Sequence, residues 1–302
     1  MSAAGATALI GLDWGTTNAR AFRFGPDGVV AETRERPLGI LQVKDGAFAA
    51  AFATLVGDWR AAAPRAPVLM CGMIGSRQGW IEAAYANLPA SEAALAAALA
   101  RPPGTEGEVR VVPGVRGDGL AGAPDVMRGE ETQILGALDL AGAGEGLFVM
   151  PGSHSKWIAA RAGRIERFAT FLTGEAYAAL RGHTILGRLM AEGAEDELGF
   201  AAGLARAQAP GGLLHHLFSV RTEGLFDRLA PAALAPYLSG LLIGLVVVAA
   251  RAAFGVLAPT IVGGAALTRR YAAALPGARI VAGEDAASRG LWRIAREAGL
   301  LA

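Results

Sequence analysis

The most informative segment of the chain reads Gly11-Leu12-Asp13-Trp14-Gly15-Thr16-Thr17-Asn18-Ala19-Arg20. Its first residues complete an apolar run that predicts a strand over residues 8–13, and its last residues begin an alternating pattern that predicts a strand over residues 19–24. The glycine and two threonines of the hairpin between them can present backbone N–H groups and hydroxyls to a phosphate, because glycine has no Cβ in the way. The candidate phosphate ligands are Gly15, Thr16, Thr17 and Arg20.

Asp13 stands at the end of the first predicted strand, beside the hairpin turn. A carboxylate there can hold a hydrated Mg²⁺, which prefers one or two carboxylates together with waters and phosphate oxygens. The simpler interpretation is a tight turn whose N–H groups bond to Asp13, and the pattern Asp-x-Gly alone favours it. The longer pattern Asp-x-Gly-Thr-Thr-x-x-Arg is more specific, and it favours a site for phosphate and magnesium.

A second stretch of the chain repeats this layout. Residues 147–150 predict a strand, residues 151–155 a polar turn, and residues 156–160 and 165–171 two further strands. In both meanders a second turn begins 11 residues after the first glycine, at Pro26 and at Gly163. We therefore predict a duplicated α/β fold, in which the two turns face each other across a nucleotide cleft. The candidate ligands on the second turn are Gly152, Ser153, His154 and Lys156.

The length of the chain supports two domains, because 302 residues are about twice a typical domain of roughly 150. A helix predicted over residues 130–140 links the meanders, and the Gly-Ala segment 141–144 that follows predicts a hinge. We place the boundary there. Residues 1–140 are expected to carry the first phosphate motif and the substrate, and residues 141–302 the second phosphate motif and the adenosine site.

The composition excludes several classes of protein. Hydrophobic residues make up 53% of the chain and charged residues 18%, which excludes intrinsic disorder. The formal net charge of +1 gives no basic field for a nucleic acid or an anionic membrane, so we expect neither as a partner. A single cysteine, Cys71, and an N-terminus without the basic-then-apolar pattern of a signal peptide predict a cytoplasmic protein.

One uncharged segment, residues 229–250, is long enough to cross a membrane. Pro231 and Pro236 interrupt its first half, Arg251 closes it, and no basic flank sets an orientation. We therefore predict a buried helix over residues 237–254 instead.

Glycine is unusually frequent, with 42 residues, about twice the usual share of roughly 7%. All basic residues except Lys44 and Lys156 are arginine, and alanine is abundant, as a GC-rich genome would produce. We therefore expect the glycines of helices to reflect composition, and only those of the motifs to have a local function. The rarity of lysine also draws attention to Lys156.

Two adjacent glutamates begin the linking helix, in the sequence Met127-Arg128-Gly129-Glu130-Glu131-Thr132-Gln133. Acidic residues at a helix N-terminus often interact only with the helix dipole. A kinase that acts on an alcohol also needs a carboxylate that orients the hydroxyl and accepts its proton. Glu130 or Glu131 is the candidate base, and the sequence leaves open which one.

A glycine-rich loop follows a buried strand and reads Cys71-Gly72-Met73-Ile74-Gly75-Ser76-Arg77-Gln78-Gly79-Trp80. Loops at strand ends carry ligand contacts in open α/β domains, and Arg77 could hold a substrate carboxylate through two parallel hydrogen bonds. The simpler interpretation of Arg77 is a surface or interdomain salt bridge.

A competing motif, Gly117-Asp118-Gly119-Leu120-Ala121-Gly122, matches G-x-G-x-x-G and would favour an oxidoreductase. That fingerprint requires glycines that open a helix. Pro124 follows at once and no helical pattern begins before Glu130, so an oxidoreductase with a dinucleotide site here stays as a less favoured alternative.

Together these motifs resemble two known groups of proteins. Asp13-Trp14-Gly15-Thr16-Thr17 with Arg20 is similar to the first phosphate motif of the actin, Hsp70 and sugar kinase superfamily. The motifs at residues 71–80, 127–133 and 151–157 resemble the 2-dehydro-3-deoxygalactonokinase family, and the resemblance runs from about residue 8 to about residue 275. One departure is Ser153, which stands where we expect threonine and keeps the hydroxyl.

The resemblance implies two duplicated actin-like ATPase (ribonuclease H-like) domains that bind ATP and Mg²⁺ in a cleft between them. It implies phosphorylation of 2-dehydro-3-deoxy-D-galactonate at its 6-hydroxyl, in galactonate catabolism. Gly263-Gly264 would lie by the adenosine, and Gln78, Trp80 and Arg128 would join Arg77 around the substrate. A kinase for another sugar or sugar acid and a non-catalytic nucleotide-binding regulator stay as alternatives. The sequence leaves the oligomeric state open, a homodimer included.

Overall fold

Strands and helices alternate in two similar series along the chain. A computed structural model describes residues 6–193, 196–255 and 258–301, so residues 1–5 of the N-terminus considered above lie outside the described residues. The strands are β1 (Leu9–Trp14), β2 (Ala19–Phe24), β3 (Val30–Arg36), β4 (Val68–Cys71), β5 (Tyr85–Asn87), β6 (Val109–Val111), β7 (Gly114–Asp118), β8 (Pro124–Met127), β9 (Gly146–Met150), β10 (Ser155–Arg161), β11 (Arg164–Phe171), β12 (Thr260–Gly263) and β13 (Arg279–Ala282). The α-helices are α1 (Phe48–Ala62), α2 (Glu92–Ala97), α3 (Glu130–Leu140), α4 (Thr173–His183), α5 (Glu197–Arg206), α6 (Gly212–Leu225), α7 (Leu234–Phe254), α8 (Ala265–Ala274) and α9 (Gly283–Glu297).

Two five-stranded sheets have the same strand order, β3-β2-β1-β4-β6 in the first and β11-β10-β9-β12-β13 in the second. In the first sheet, β1, β2 and β3 form an antiparallel meander, and β4 and β6 are added in parallel. In the second sheet, β12 pairs in parallel with β9, the strand that corresponds to β1. The repeated order confirms the predicted duplication, and both meanders form where the sequence predicted them.

The chain divides into two compact units. Unit 1 comprises Met1–Gly146, Ile158–Phe168 and Val281–Ala302, and unit 2 comprises Leu147–Trp157 and Ala169–Ile280. The C-terminal helix α9 therefore belongs to the same unit as β1, which the sequence did not reveal. The assignment of separate functions to residues 1–140 and 141–302 stays a prediction.

Strand β1 is buried on both faces. Ile10, Leu12 and Trp14 lie in one apolar cluster with side chains of α1. On the other face Gly11 lies against α9, where a Cβ would come within 3.1 Å of the Leu291 side chain. Because side chains alternate along a strand, Asp13 lies on the same face as Gly11. The packing on both faces thus fixes the strand that carries Asp13.

Unit 1 also contains a three-stranded sheet of order β5-β7-β8, which the sequence did not predict. β5 pairs in parallel with β7, which pairs antiparallel with β8. Residues 117–122 lie at the hairpin between β7 and β8, and the next α-helix begins only at Glu130. These glycines open no α-helix, so the G-x-G-x-x-G match does not form a dinucleotide fingerprint.

The apolar segment forms the 21-residue helix α7. By length and composition this helix could cross a membrane, but 67% of its most apolar window is buried inside the protein. Tyr237, Leu238 and Leu241 share an apolar cluster with Val220 of α6, as the prediction of a buried helix requires. The helix begins earlier than predicted, because Pro236 lies in its first turn, where a missing N–H breaks no intrahelical bond.

Glycines allow two pairs of helices to approach closely. In unit 1, a Cβ on Gly290 of α9 would overlap the Thr132 carbonyl oxygen of α3, and Gly136 of α3 meets α9 in the same way. In unit 2, Gly203 of α5 and Gly240 of α7 each lie against the backbone of the other helix. The expectation that helical glycines reflect composition alone is therefore wrong at these positions, because side chains at a contact set the distance between helices.

The change Gly290→Ala is expected to lower the free energy of unfolding by about 3 kcal/mol, because the new methyl group forces α9 away from α3. The matched control is Gly182→Ala in the last turn of α4, where a Cβ meets nothing within 4 Å. That change is expected to raise the free energy of unfolding by roughly 0.5 kcal/mol through helix propensity. Urea denaturation measures both values, and equal effects of the two changes would contradict the close packing at Gly290.

Candidate active site

The first hairpin turn, residues 15–18, is held by a neighbouring loop. Gly15 donates its N–H to the Asn18 carbonyl oxygen (2.9 Å), and the carbonyl oxygens of residues 15–17 accept N–H bonds from residues 39–41. A Cβ on Gly39 would overlap the backbone of the turn, so glycine is required there. Thr16 and Thr17 are exposed, which leaves their hydroxyls accessible to a phosphate. Sequence reasoning missed Gly39, since no local pattern marks a contact so distant along the chain.

Arg20 lies opposite Asp13 in the register of β1 and β2. Its Nη2 donates to Glu35 Oε2 (3.0 Å), and Asn18 Nδ2 donates to Glu35 Oε1 (3.2 Å). The carboxylate of Glu35 therefore orients both side chains beside the turn. The role of Arg20 as a phosphate ligand stays a prediction.

Asp13 lies among side chains from two other elements of unit 1. Gln133 Nε2 of α3 donates to its Oδ2 (3.3 Å), and the Cys71 thiol of β4 lies 3.9 Å from its Oδ1. Burial raises the pKa of Asp13 to about 6; the positive charge of Arg20 opposes this shift and the negative charge of Glu130 adds to it. Cys71 is fully buried, as expected for a small core residue. Gln133 belongs to the motif of residues 127–133, but the sequence did not predict its hydrogen bond to Asp13.

Glu131 is fully buried at the start of α3. Its Oε2 accepts the Gly129 N–H (2.7 Å) and its Oε1 accepts the Thr132 hydroxyl (3.0 Å). Burial, and after it the charge of Glu130, raises the pKa of Glu131 to about 8. At neutral pH this side chain is therefore largely a neutral carboxylic acid.

Glu130 differs from its neighbour because its side chain is partly exposed. Its Oε2 accepts the N–H of Arg128 (2.9 Å), the residue that precedes the N-cap Gly129. Gly129 has a φ of 105°, which favours glycine, and a Cβ there would lie 3.1 Å from the Cα of Gly72. The start of α3 is thus pressed against the end of β4, which brings both glutamates to the Asp13 side of the sheet.

The carboxylates of unit 1 suit a Mg²⁺ ion that is held mainly by a nucleotide. Among the described residues, no group of three or more His, Cys, Asp or Glu side chains could hold a metal ion by itself. Mg²⁺ needs only one or two carboxylates when phosphate oxygens and waters complete its shell. Asp13 fits this requirement, because a cation would stabilise a carboxylate whose ionisation burial now opposes.

The second turn is held by the first residues of α4, within unit 2. The Ser153 carbonyl oxygen accepts the N–H groups of Gly174 (3.0 Å) and Glu175 (3.1 Å). A Cβ on Gly174 would lie 2.7 Å from the Gly152 carbonyl oxygen. His154 Nε2 lies 2.6 Å from Glu175 Oε2. Sequence reasoning missed Gly174 and Glu175, although the Thr-Gly-Glu sequence directly after a predicted strand could have marked a helix start at this turn.

Lys156 follows the second turn in β10, and its side chain is buried rather than exposed. It is 6% exposed, and its Nζ donates to the Thr170 hydroxyl (2.7 Å). Gly263, at the end of β12, lies against the same turn, because a Cβ there would be 3.7 Å from Pro151 Cδ. The phosphate role of Lys156 and the adenosine role of Gly263 and Gly264 stay predictions.

The four predicted substrate residues have different surroundings. The Arg77 side chain is 86% exposed and pairs with Glu82 (3.2 Å). Gln78 is exposed, and Trp80 packs its ring against Phe52, with 5.4 Å between ring centres. Arg128, by contrast, is buried. The structure therefore brings Glu130 near Asp13 in unit 1 and Gly263 against the turn that contains Gly152 in unit 2. The substrate roles of Arg77, Gln78 and Trp80 stay predictions.

Comparison with known proteins identifies similar chains of the same length. A family model described as 2-keto-3-deoxy-galactonokinase matches residues 13–294. A protein of Rhizobium meliloti (strain 1021), named a probable 2-dehydro-3-deoxygalactonokinase, is 38% identical over 98% of this chain and 98% of its own. The 2-dehydro-3-deoxygalactonokinase of Escherichia coli (strain K12) is 35% identical over 95% of this chain and 97% of its own.

A solved structure gives the same result for the fold. The crystal structure of a protein from Sinorhizobium meliloti, described as a 2-dehydro-3-deoxygalactonokinase, has a TM-score of 0.85 at 36% identity and covers 95% of this chain and 98% of its own. With its duplicated sheets, this chain has the actin-like ATPase fold of the sugar kinases, as predicted. It belongs to the 2-keto-3-deoxy-galactonokinase family.

Proposed function

We propose that this protein is a cytoplasmic, ATP-dependent kinase that phosphorylates 2-dehydro-3-deoxy-D-galactonate at its 6-hydroxyl. The observation that carries the proposal is the cluster of Asp13, Glu130 and Glu131 beside the Gly-Thr-Thr turn, in a chain of this family. Phosphoryl transfer to an alcohol needs a phosphate cradle, a metal ligand and a carboxylate for the hydroxyl proton. The three acidic residues and the turn supply each of these groups.

The two turns are proposed to bind the phosphates of ATP. The hydroxyls and backbone N–H groups of Thr16 and Thr17 bind phosphate oxygens, while Gly15, whose N–H bonds to Asn18, shapes the turn. Gly152 and Ser153 are the proposed phosphate ligands of the second turn. Arg20, His154 and Lys156 support these turns, and Gly263-Gly264 lies by the adenosine. Asp13 holds the Mg²⁺ through its waters, and the ion when bound neutralises charge on the transferred phosphoryl group.

Glu130 is the residue that we assign to the 6-hydroxyl. A general base must reach the proton that it accepts. The Glu130 carboxylate is partly exposed, whereas Glu131 is fully buried and both of its oxygens accept hydrogen bonds inside the protein. Glu130 therefore orients the hydroxyl and takes its proton, and Glu131 positions the turn that begins α3.

The substrate is proposed to bind between the loop of residues 71–80 and the start of α3, with Arg77, Gln78, Trp80 and Arg128 as candidate ligands. Motion about residues 141–144 is proposed to exclude water during the reaction, because water would otherwise compete with the 6-hydroxyl for the phosphoryl group.

A coupled assay for ADP release tests the function. The substrates are 2-keto-3-deoxy acids derived from galactonate and from gluconate, which differ at C-4, and their parent sugars, each with Mg·ATP. We expect the highest kcat/KM for the galactonate-derived acid. ADP release no faster than with ATP alone would contradict kinase activity and favour a non-catalytic regulator. A higher kcat/KM for a parent sugar would show that the sugar, and not the acid, is the substrate.

A further inference from the structure

We infer that Arg128 and Ser76 form the subsite that binds the substrate carboxylate, an inference that rests on the proposed function. Arg128 is 8% exposed. Its Nη2 donates to the Ala83 carbonyl oxygen (2.8 Å), and its guanidinium carbon lies 4.3 Å from the centre of the Tyr85 ring. Its Nε and Nη1 are buried and have no hydrogen-bond partner in residues 6–193, 196–255 and 258–301.

A buried guanidinium with two unused donor atoms indicates a missing anion. Arginine stays protonated in proteins, and a buried charge is normally paired, because removing it from water is unfavourable. The Tyr85 ring and one carbonyl oxygen stabilise the cation in part, but neither carries a negative charge. Within the described part of the chain, Arg128 therefore keeps donors for a ligand.

A glycine lies in close contact with this guanidinium. A Cβ on Gly75 would lie 3.0 Å from Arg128 Nη1 and 2.9 Å from Val111 Cγ1. The φ of Gly75 lies outside the left-handed region, so glycine is required there by the close approach of Val111 and Arg128 and not by the backbone conformation. The next residue, Ser76, has a buried hydroxyl that is also without a partner among the described residues. The guanidinium beside Gly75 and the hydroxyl of the next residue are the donors that we assign to the two oxygens of a carboxylate.

The position of Arg128 along the chain agrees with this role. Arg128 and Glu130 are two residues apart, so their Cα atoms are separated by at most about 7 Å. A six-carbon acid with its carboxylate at C-1 and its reacting hydroxyl at C-6 can bridge such a distance. The same short segment then selects an acid with Arg128 and activates the hydroxyl with Glu130.

Arg77, which the sequence predicted for this task, is less suited to it. Its exposed guanidinium already pairs with Glu82, and exposed ion pairs in water add little binding energy. Carboxylate specificity is therefore expected to come from the buried arginine.

Calorimetry without ATP tests the subsite. The probe is 2-dehydro-3,6-dideoxy-D-galactonate, an acid that lacks the reacting hydroxyl, and the neutral comparison is 2-deoxy-D-galactose. Arg128→Met is expected to weaken binding of the acid about 100-fold, which is the loss of a charge-assisted bidentate pair. Arg116→Met is the matched control, because Arg116 is an exposed arginine of β7 that donates to Asn87 (2.7 Å), and it is expected to bind the acid as the wild type does. Arg77→Met is expected to weaken binding of the acid less than Arg128→Met does, because its guanidinium is exposed and already paired with Glu82.

Two milder variants keep the test independent of folding. Arg128→Lys keeps the charge but not the planar fork, and we expect about tenfold weaker binding of the acid. Ser76→Ala is expected to weaken it about fivefold. Neither variant should alter the weak binding of the neutral sugar, which a general disturbance of the site would change.

The outcomes separate the subsite from the proposed function. Wild-type affinity for the acid in Arg128→Met, or in both milder variants, would overturn the subsite, as would a loss in Arg77→Met that equals that of Arg128→Met. If the wild type binds the acid but releases no ADP with any 2-keto-3-deoxy acid, the subsite stands and the kinase function fails. If the wild type releases ADP while Arg128→Met keeps its KM, the function stands and the subsite fails.

Discussion

The variant Asp13→Asn is expected to lose about 1,000-fold in kcat while it stays folded. Asparagine keeps the size of the side chain and can still accept the Gln133 hydrogen bond, but it brings no negative charge to a cation. The loss should appear in kcat more than in the KM for ATP, because Asp13→Asn leaves the proposed phosphate ligands of the two turns unchanged. Steady-state kinetics at several Mg²⁺ concentrations measures both constants.

Stability provides the control for this variant. The pKa of Asp13 is raised from 3.8 to about 6, so the folded protein holds a proton that the unfolded chain releases as the pH rises between these values. Ionisation of Asp13 therefore lowers the free energy of unfolding as the pH rises from 3.8 to about 6, and the loss is complete above pH 6. Asparagine does not ionise, so the variant avoids this loss. We expect Asp13→Asn to raise the free energy of unfolding at pH 7.5 by about 1–2 kcal/mol and to leave it unchanged at pH 3.5. Near-normal turnover in a folded Asp13→Asn protein would refute the metal assignment.

Local patterns predicted those parts of the candidate site that are contiguous in sequence. The first turn needs a glycine, two hydroxyls and an aspartate within five positions, so residues 13–17 show it directly. The second turn was found because its strands repeat the spacing of the first. In both cases the chemistry and the element that holds it lie in one hairpin.

The supports of these turns could not be found in the same way. Gly39 meets the first turn, and Glu175 meets His154, through contacts that join distant parts of the chain. Such contacts depend on the order of the strands in a sheet, and that order cannot be read from a single sequence. The glycines of α3 and α9 illustrate the same limit. In a glycine-rich sequence they look like background composition, and only the close contact between the two helices shows that glycine is required there.

Burial was the other property that the sequence could not give. Arg77 and Arg128 are both arginines near glycines. Arg77 is exposed and paired with Glu82, whereas Arg128 is buried and its Nε and Nη1 have no hydrogen-bond partner among the described residues. Glu130 and Glu131 are adjacent and chemically alike, and only the packing of α3 against β4 and α9 makes them different.

The same Glu→Gln substitution is therefore expected to change kcat strongly at Glu130 and little at Glu131. Glu130→Gln should reduce kcat by about 1,000-fold, since an amide cannot accept the hydroxyl proton. Glu131→Gln should keep kcat within about threefold, because a neutral amide resembles the neutral acid that this side chain is at pH 7. Each variant is the matched control of the other, as they differ by one position in the same turn of α3.

The free energy of unfolding is expected to depend on pH differently in the wild type and in Glu131→Gln. The pKa of Glu131 is raised from 4.5 to about 8, so wild-type stability falls as the pH rises through this window, in which only the unfolded chain gives up the proton. Glutamine does not ionise, so Glu131→Gln is expected to be more stable than the wild type by roughly 3 kcal/mol at pH 8.5 and by nothing measurable at pH 4. Urea denaturation at the two pH values, with initial rates at pH 7.5, measures both effects. An inactive Glu131→Gln beside an active Glu130→Gln would reverse the two roles, and a stability difference that does not change with pH would show that Glu131 is ionised in the folded protein.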